Sequence, residues 1–109
     1  MNVKITTLPD YTLIGVEGRV DTTTSAALEK TLMEAIDGGC TKIILDCSGI
    51  NYISSSGLRV FLVIQKKMIS IKGHFNLCNL QPGIKEIFDI SGFSSIFSIF
   101  PDKEDAMNG

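Results

Sequence analysis

Residues 53–60 read Ile-Ser-Ser-Ser-Gly-Leu-Arg-Val, so three adjacent hydroxyls separate two apolar stretches. The spacing predicts a helix that begins at these serines. The first turn of a helix presents unpaired N–H groups and a partial positive charge. Serines there have two uses. Their oxygens accept backbone N–H bonds and cap the helix, or one of them receives a phosphate carrying about −1.5 to −2 charges. The helix terminus lets the fold tolerate that charge. At a contact surface, the same charge repels an acidic partner and blocks apolar docking. A bound phosphate is a third reading, but the turn lacks the glycines and lysine of a P-loop.

Nucleophilic catalysis needs a base beside the serine. The one histidine, His74, falls at the start of a predicted strand, and no G-x-S-x-G occurs. Asp21 and Asp46 are carboxylates that the order of elements could bring near the turn, but carboxylates alone do not make a hydrolase. The expectation is a protein without enzymatic activity or cofactor. Cys40, Cys47 and Cys78 are odd in number and have no C-x-x-C spacing. The expectation is reduced thiols, with neither a zinc site nor a disulfide framework.

A chain of 109 residues with 44% hydrophobic content is long enough for one domain with a real core. Twelve acidic and ten basic residues give a net charge of −2. No basic stripe interleaved with aromatics appears, which argues against nucleic-acid binding. No charged-then-apolar leader opens the sequence. The apolar stretch Leu58–Ile71 is interrupted by Arg59, Gln65, Lys66 and Lys67, which argues against a membrane span. A cytoplasmic location is expected.

The elements that must hold the serine turn follow from periodicity. Val3, Ile5 and Thr7 alternate with polar neighbours, Pro9-Asp10 interrupts, and Tyr11 to Val16 resumes the extended pattern. Gly15 and Gly18 mark a bend or a close backbone approach. Asp21-Thr22-Thr23-Thr24-Ser25 favours a turn and an N-cap. Leu28, Leu32, Ala35 and Ile36 then predict a helix over 24–37, ended by Gly38-Gly39. Ile43-Ile44-Leu45 predicts an interior strand over 42–46, parallel to a neighbour and covered on both faces. Cys47-Ser48-Gly49 is expected to loosen the chain before the serines. The helix that follows is apolar over much of its circumference. Gly73 closes it, and His74–Cys78 reads as a strand. Pro82 opens a third helix that Gly92 stops, and Ile96–Phe100 is a last strand. Asp102 and Asp105 suggest a capped C-terminal helix. The order ββαβαβαβα predicts an α/β domain over 1–109. Its sheet should be mixed, with four to five strands, and about four helices should accompany it.

The stretch Ile44-Leu45-Asp46-Cys47-Ser48-Gly49-Ile50-Asn51-Tyr52-Ile53-Ser54-Ser55-Ser56-Gly57-Leu58-Arg59-Val60 resembles the signature of STAS domains, in the form carried by stand-alone bacterial anti-sigma factor antagonists. Gly18-Arg19-Val20-Asp21, Asn79-Leu80-Gln81-Pro82, Ile90-Ser91-Gly92-Phe93 and Ile96-Phe97 resemble further segments of that family, so the likeness spans nearly the whole chain. The resemblance implies a mechanism. Such an antagonist binds an anti-sigma factor that is also an ATP-dependent serine kinase, and the sigma factor is released. The kinase then phosphorylates the first serine of the family's Asp-Ser-Ser-Gly turn, and a serine phosphatase reverses this. By position that serine is Ser55. One departure stands out: Ser54 occupies the family's aspartate position, which keeps capping ability but lacks the fixed charge.

Phosphorylation switches binding only at or near an interface. The expected docking surface therefore comprises Asp21, Thr22 and Thr23 with Ser54, Ser55, Ser56, Gly57, Arg59, Val60 and Val63. Arg59 would pair with a phosphate at Ser55 or with a carboxylate of the partner. Val60 and Val63 would supply apolar area. An alternative within the resemblance is an accessory subunit that docks the same helix on a transporter ATPase, without phosphorylation. A nucleotide sensor is a third class, for which no Walker-type loop speaks.

Overall fold

The computed structural model describes residues 1–109. Its elements are β1 (Asn2–Thr7), β2 (Thr12–Val20), α1 (Ser25–Asp37), β3 (Lys42–Ile53), α2 (Ser55–Ser70), β4 (His74–Cys78), α3 (Pro82–Ile90), a short 3-10 turn at Phe93–Ser95, β5 (Ser98–Phe100) and α4 (Lys103–Met107). The five strands lie side by side in chain order. β1 runs antiparallel to β2, and every later pair is parallel. The expected α/β architecture and element order are therefore present, with five strands and four helices.

Handedness explains the layering. The crossovers through α1, α2 and α3 each advance the sheet by one strand in the same direction. Right-handed connections then put all three helices on one face. Strand alternation agrees: Ile14 and Val16, Ile43, Leu45 and Cys47, and Phe75 and Leu77 all enter one core with Leu28, Leu32, Phe61, Ile64 and Phe88. The intervening Ile44 and Cys78 point the other way and meet Ala106 of α4. β3 is thus interior, parallel on both sides and covered on both faces, as its β-branched run predicts.

The helix–sheet interface is anchored by Phe61. Its ring meets Phe75, Phe88 and Phe97 at centroid distances of 6.1, 6.1 and 6.3 Å, with the Phe75 and Phe97 pairs edge-to-face. Such pairs add about 0.5–1.5 kcal/mol each beyond burial of area. Phe61 thereby fixes the rotation of α2, and with it what the helix shows to solvent.

Two expectations need correction. Cys47-Ser48-Gly49 does not loosen the chain, because β3 continues unbroken to Ile53. Pairing moves from Gly15 opposite Asp46 to Glu17 opposite Gly49, and from Gly18 opposite Ile50 to Arg19 opposite Tyr52. Each step inserts one extra residue into β3, so the small polar residues bulge the strand instead of ending it. A Cβ on Gly49 would lie 2.9 Å from the Val16 carbonyl oxygen, which is why the bulge carries glycine. The last strand is also shorter than expected. Phe93–Ser95 form a 3-10 turn, and pairing begins only at Ser98.

Candidate partner-docking site

β2 and β3 end together, at Val20 and Ile53. The loop into α1 and the turn into α2 therefore emerge at the same end of the sheet. The Ser54 N–H donates to the Val20 carbonyl at 2.9 Å and ties the two exits together. Gly57 allows this closeness. A Cβ there would lie 2.8 Å from the Val20 carbonyl oxygen and 2.9 Å from Ile53 Cγ1.

The three serines have different fates. Ser54 is the N-cap of α2, and its Oγ accepts from the Gly57 N–H at 3.3 Å. Ser56 is half-buried, and its hydroxyl shares a 2.9 Å hydrogen bond with that of Ser54. Ser55 is the first residue of the helix and is exposed. Its hydroxyl makes no hydrogen bond within the chain, in contrast to the bonded pair on either side.

The neighbouring loop is organised by Asp21. Its Oδ1 accepts from the Thr23 N–H at 2.9 Å and the Thr23 hydroxyl at 2.7 Å. Its Oδ2 accepts from Arg19 Nε at 3.4 Å. The Thr23 hydroxyl and then the Thr23 N–H, helped by Arg19 and Thr24, hold the Asp21 carboxyl down to about 2. Thr24 donates its hydroxyl to the Arg19 carbonyl at 2.8 Å and accepts from the Asp21 N–H at 3.0 Å. Thr22 and Thr23 are exposed. The Arg19 guanidinium also lies 4.0 Å above the centre of the Tyr52 ring.

The phase of α2 sorts its other residues. Gly57, Val60, Phe61, Ile64 and Met68 form the buried stripe. Val60 is 0% exposed and belongs to the core, so it supplies no docking area. Gly57 is likewise buried and acts by letting the turn sit close to Val20. Val63 is half-buried. Arg59 is exposed and lies with Nη2 3.8 Å from Glu29 Oε1 of α1. Asp46 does not reach the turn. It sits mid-strand in β3, on the face away from α2, and accepts from the Ser48 N–H at 3.0 Å and Asn79 Nδ2 at 3.2 Å.

Sequence reasoning missed Glu29 and the Arg19–Tyr52 stack. Glu29 carries no local signal, since its role depends on how α1 packs beside α2. Arg19 and Tyr52 become cross-strand partners only through the β3 bulges.

Ser55 offers an exposed alcohol that no side chain of the fold engages. His74 opens β4, at the opposite end of the sheet from the serine turn. No three His, Cys, Asp or Glu side chains gather to hold a metal ion. No helix is long and apolar enough to cross a membrane. Cys47 and Cys78 are buried, and burial foremost pushes both thiols up, Cys78 to about 11.

The order of elements and the mixed five-stranded sheet are shared with known proteins. A profile of the STAS domain matches residues 2–106, and the chain belongs to that family. Within the family it falls among the anti-sigma factor antagonists. It is 38% identical over 91 residues to BtrV of Bordetella bronchiseptica, named as an anti-sigma factor antagonist, with 84% of this chain and 78% of BtrV covered. Its fold superposes on a protein of Thermotoga maritima, also named as an anti-sigma factor antagonist, with a TM-score of 0.92. That match has 20% identity and covers 97% of this chain and 92% of the other. The Bacillus cell fate determinant SpoIIAA, in its phosphorylated form, matches with a TM-score of 0.74 at 19% identity, over 98% of this chain and 97% of SpoIIAA. At these identities the two structural matches speak to the fold alone.

Proposed function

We propose that this chain docks on an anti-sigma factor that is also a serine kinase, frees a sigma factor by doing so, and is released when the kinase phosphorylates Ser55. A serine phosphatase returns it to the binding form. The observation that carries this reading is the unequal treatment of the three serines. Ser54 and Ser56 spend their hydroxyls on each other and on the helix cap, while Ser55 is exposed with its hydroxyl uncommitted. A phosphate at that first helical residue adds about −1.5 to −2 charges where the N–H groups and dipole of α2 favour an anion. The fold therefore survives the modification, and the docking surface does not. That surface, in this reading, comprises Asp21, Thr22, Thr23, Ser54, Ser55, Ser56, Arg59 and Val63. The phosphorylated form of SpoIIAA, a protein of the same fold, supports the idea that such a module accommodates a phosphate.

The test is direct. Incubation with the partner kinase and ATP is expected to add one phosphate, found at Ser55 by mass spectrometry, and Ser55→Ala is expected to abolish it. Labelling at Ser54 or Ser56 overturns the assignment. Ser55→Asp is expected to weaken partner binding with the far-UV circular dichroism unchanged. Capture of a transporter ATPase in place of an anti-sigma kinase would replace this reading with the accessory-subunit one.

A further inference from the structure

We propose that Arg59 is the built-in counter-ion of a phosphate carried by Ser55, and that phosphorylation hands its guanidinium over from Glu29 to that phosphate. The inference rests on the phospho-switch reading above and concerns what the chain itself does when the charge arrives. Ser55 is the first residue of α2 and Arg59 stands one turn later, so the two are i,i+4 neighbours on one face. Long helical side chains lean toward the helix N-terminus. A guanidinium at position 59 can therefore reach over the first turn of α2.

Its present attachment is weak. Arg59 Nη2 lies 3.8 Å from Glu29 Oε1, and the side chains are 66% and 34% exposed. Exposed pairs of this kind contribute about 0–1 kcal/mol. A phosphate offers more charge and three acceptor oxygens, which the guanidinium fork takes two at a time. Competition between one carboxylate and one phosphate for a single arginine favours the phosphate. Arg19, the only other arginine in the chain, is already spent on Asp21 at 3.4 Å and on the Tyr52 ring. The next cation along α2 is Lys66, about two turns beyond Arg59.

The handover has a consequence for docking. It fixes the phosphate over the first turn of α2, and it leaves the Glu29 carboxylate on α1 without its cation. Negative charge then rises at two points of the α1–α2 surface.

The test installs phosphoserine at position 55 of the full chain by a reassigned codon, so that no kinase is required. Phosphorus NMR then follows the second ionisation of the phosphate. With Arg59 present, the midpoint is expected about half a pH unit or more below that in Arg59→Gln, about a threefold difference in proton affinity. Arg59→Lys should restore part of the lowering, and Glu29→Gln should keep all of it. The carboxyl carbon of Glu29 should shift on phosphorylation in the native chain and stay put in Arg59→Gln. Superimposable titrations of the native and Arg59→Gln chains overturn the proposal, as does a lowering removed by Arg19→Gln instead. Failure of the phospho-switch reading looks different: the kinase labels another residue or none, while the Arg59-dependent titration persists.

Discussion

Between β2 and α1, the Asp21 carboxylate gathers the N–H and hydroxyl of Thr23 and the guanidinium of Arg19, while Thr24 bridges the Asp21 N–H to the Arg19 carbonyl. Between β3 and α2, the polar groups are fewer: Ser54 caps the helix and pairs with Ser56, and Ser55 stands apart. Both loops leave the same end of the sheet, tied by one hydrogen bond from Ser54 to Val20. The first has a carboxylate at its centre, which with the Arg19 carbonyl ties down the hydroxyls of Thr23 and Thr24 and leaves that of Thr22 free. The second has small neutral residues and one free alcohol. Under the proposed phosphorylation of Ser55, a hydrogen-bonded loop beside the serine turn lets the new charge alter the proposed contact surface without a new backbone path.

The change that should break this contrast most severely is Gly57→Ala. Its Cβ meets the Val20 backbone oxygen and the Val20 and Ile53 side chains at 2.8–2.9 Å, so the start of α2 must be pushed off β2. Overpacking of this kind costs about 1–3 kcal/mol, which urea denaturation should register as a lowered midpoint. The serine turn would then lose its fixed position relative to the Asp21 loop. Ser54→Ala comes next. It removes the cap and the partner of Ser56, at a cost of about 1 kcal/mol. Ser54→Asp keeps the cap and adds charge at the helix N-terminus, so it should hold or raise stability by a few tenths of a kcal/mol, less so at high salt.

The contrast between the loops was only half visible in the sequence. Leu28, Leu32 and Ile36 carry helical spacing strong enough to define α1, and the run Ile43-Ile44-Leu45 marks an interior strand. The serine turn announces itself because hydroxyls between two apolar stretches have few uses. The continuation of β3 past Cys47 was hidden, since small polar residues that end strands also make bulges. Only pairing with β2, distant in sequence, decides between these outcomes. The choice between Val60 and Val63 was hidden for a related reason. α2 is apolar on several sides, and its rotation is set by where Phe61 meets Phe75, Phe88 and Phe97. Glu29 and Tyr52 meet Arg59 and Arg19 through tertiary contacts that no local pattern encodes.

Asp21→Asn sharpens the comparison from the other side, through pH. The Asp21 carboxyl sits at about 2 against an ordinary 3.8, first because the Thr23 hydroxyl and N–H donate to it. A depressed folded value means the unfolded chain binds the proton more readily. The contribution to stability is therefore present above the ordinary value and lost as the pH falls toward about 2. Asp89 is also lowered, by Lys85 and then Ser94, and shares this acid limb. In Asp21→Asn the thermal midpoint should fall less steeply between about pH 4 and pH 2, with the Asp89 portion remaining. An unchanged acid limb would mean that the Asp21 cluster does not hold its loop.

The smallest effect on stability belongs to Thr22→Ala, and it is the most discriminating. Thr23 and Thr24 spend their hydroxyls on Asp21 and on the Arg19 carbonyl, whereas Thr22 is exposed and its hydroxyl bonds to nothing in the chain. Thr22 is thus the Asp21 loop's counterpart of Ser55, a side chain that the fold does not use. Its removal should leave the urea midpoint within about 0.5 kcal/mol of the parent, whereas Thr23→Ala and Thr24→Ala should each cost more. If partner binding nonetheless drops in Thr22→Ala, the loss belongs to the contact surface, because the scaffold beneath it is intact. If all three threonines cost the same in stability, the loop is held by something other than the hydrogen bonds around Asp21, and the contrast with the serine turn disappears.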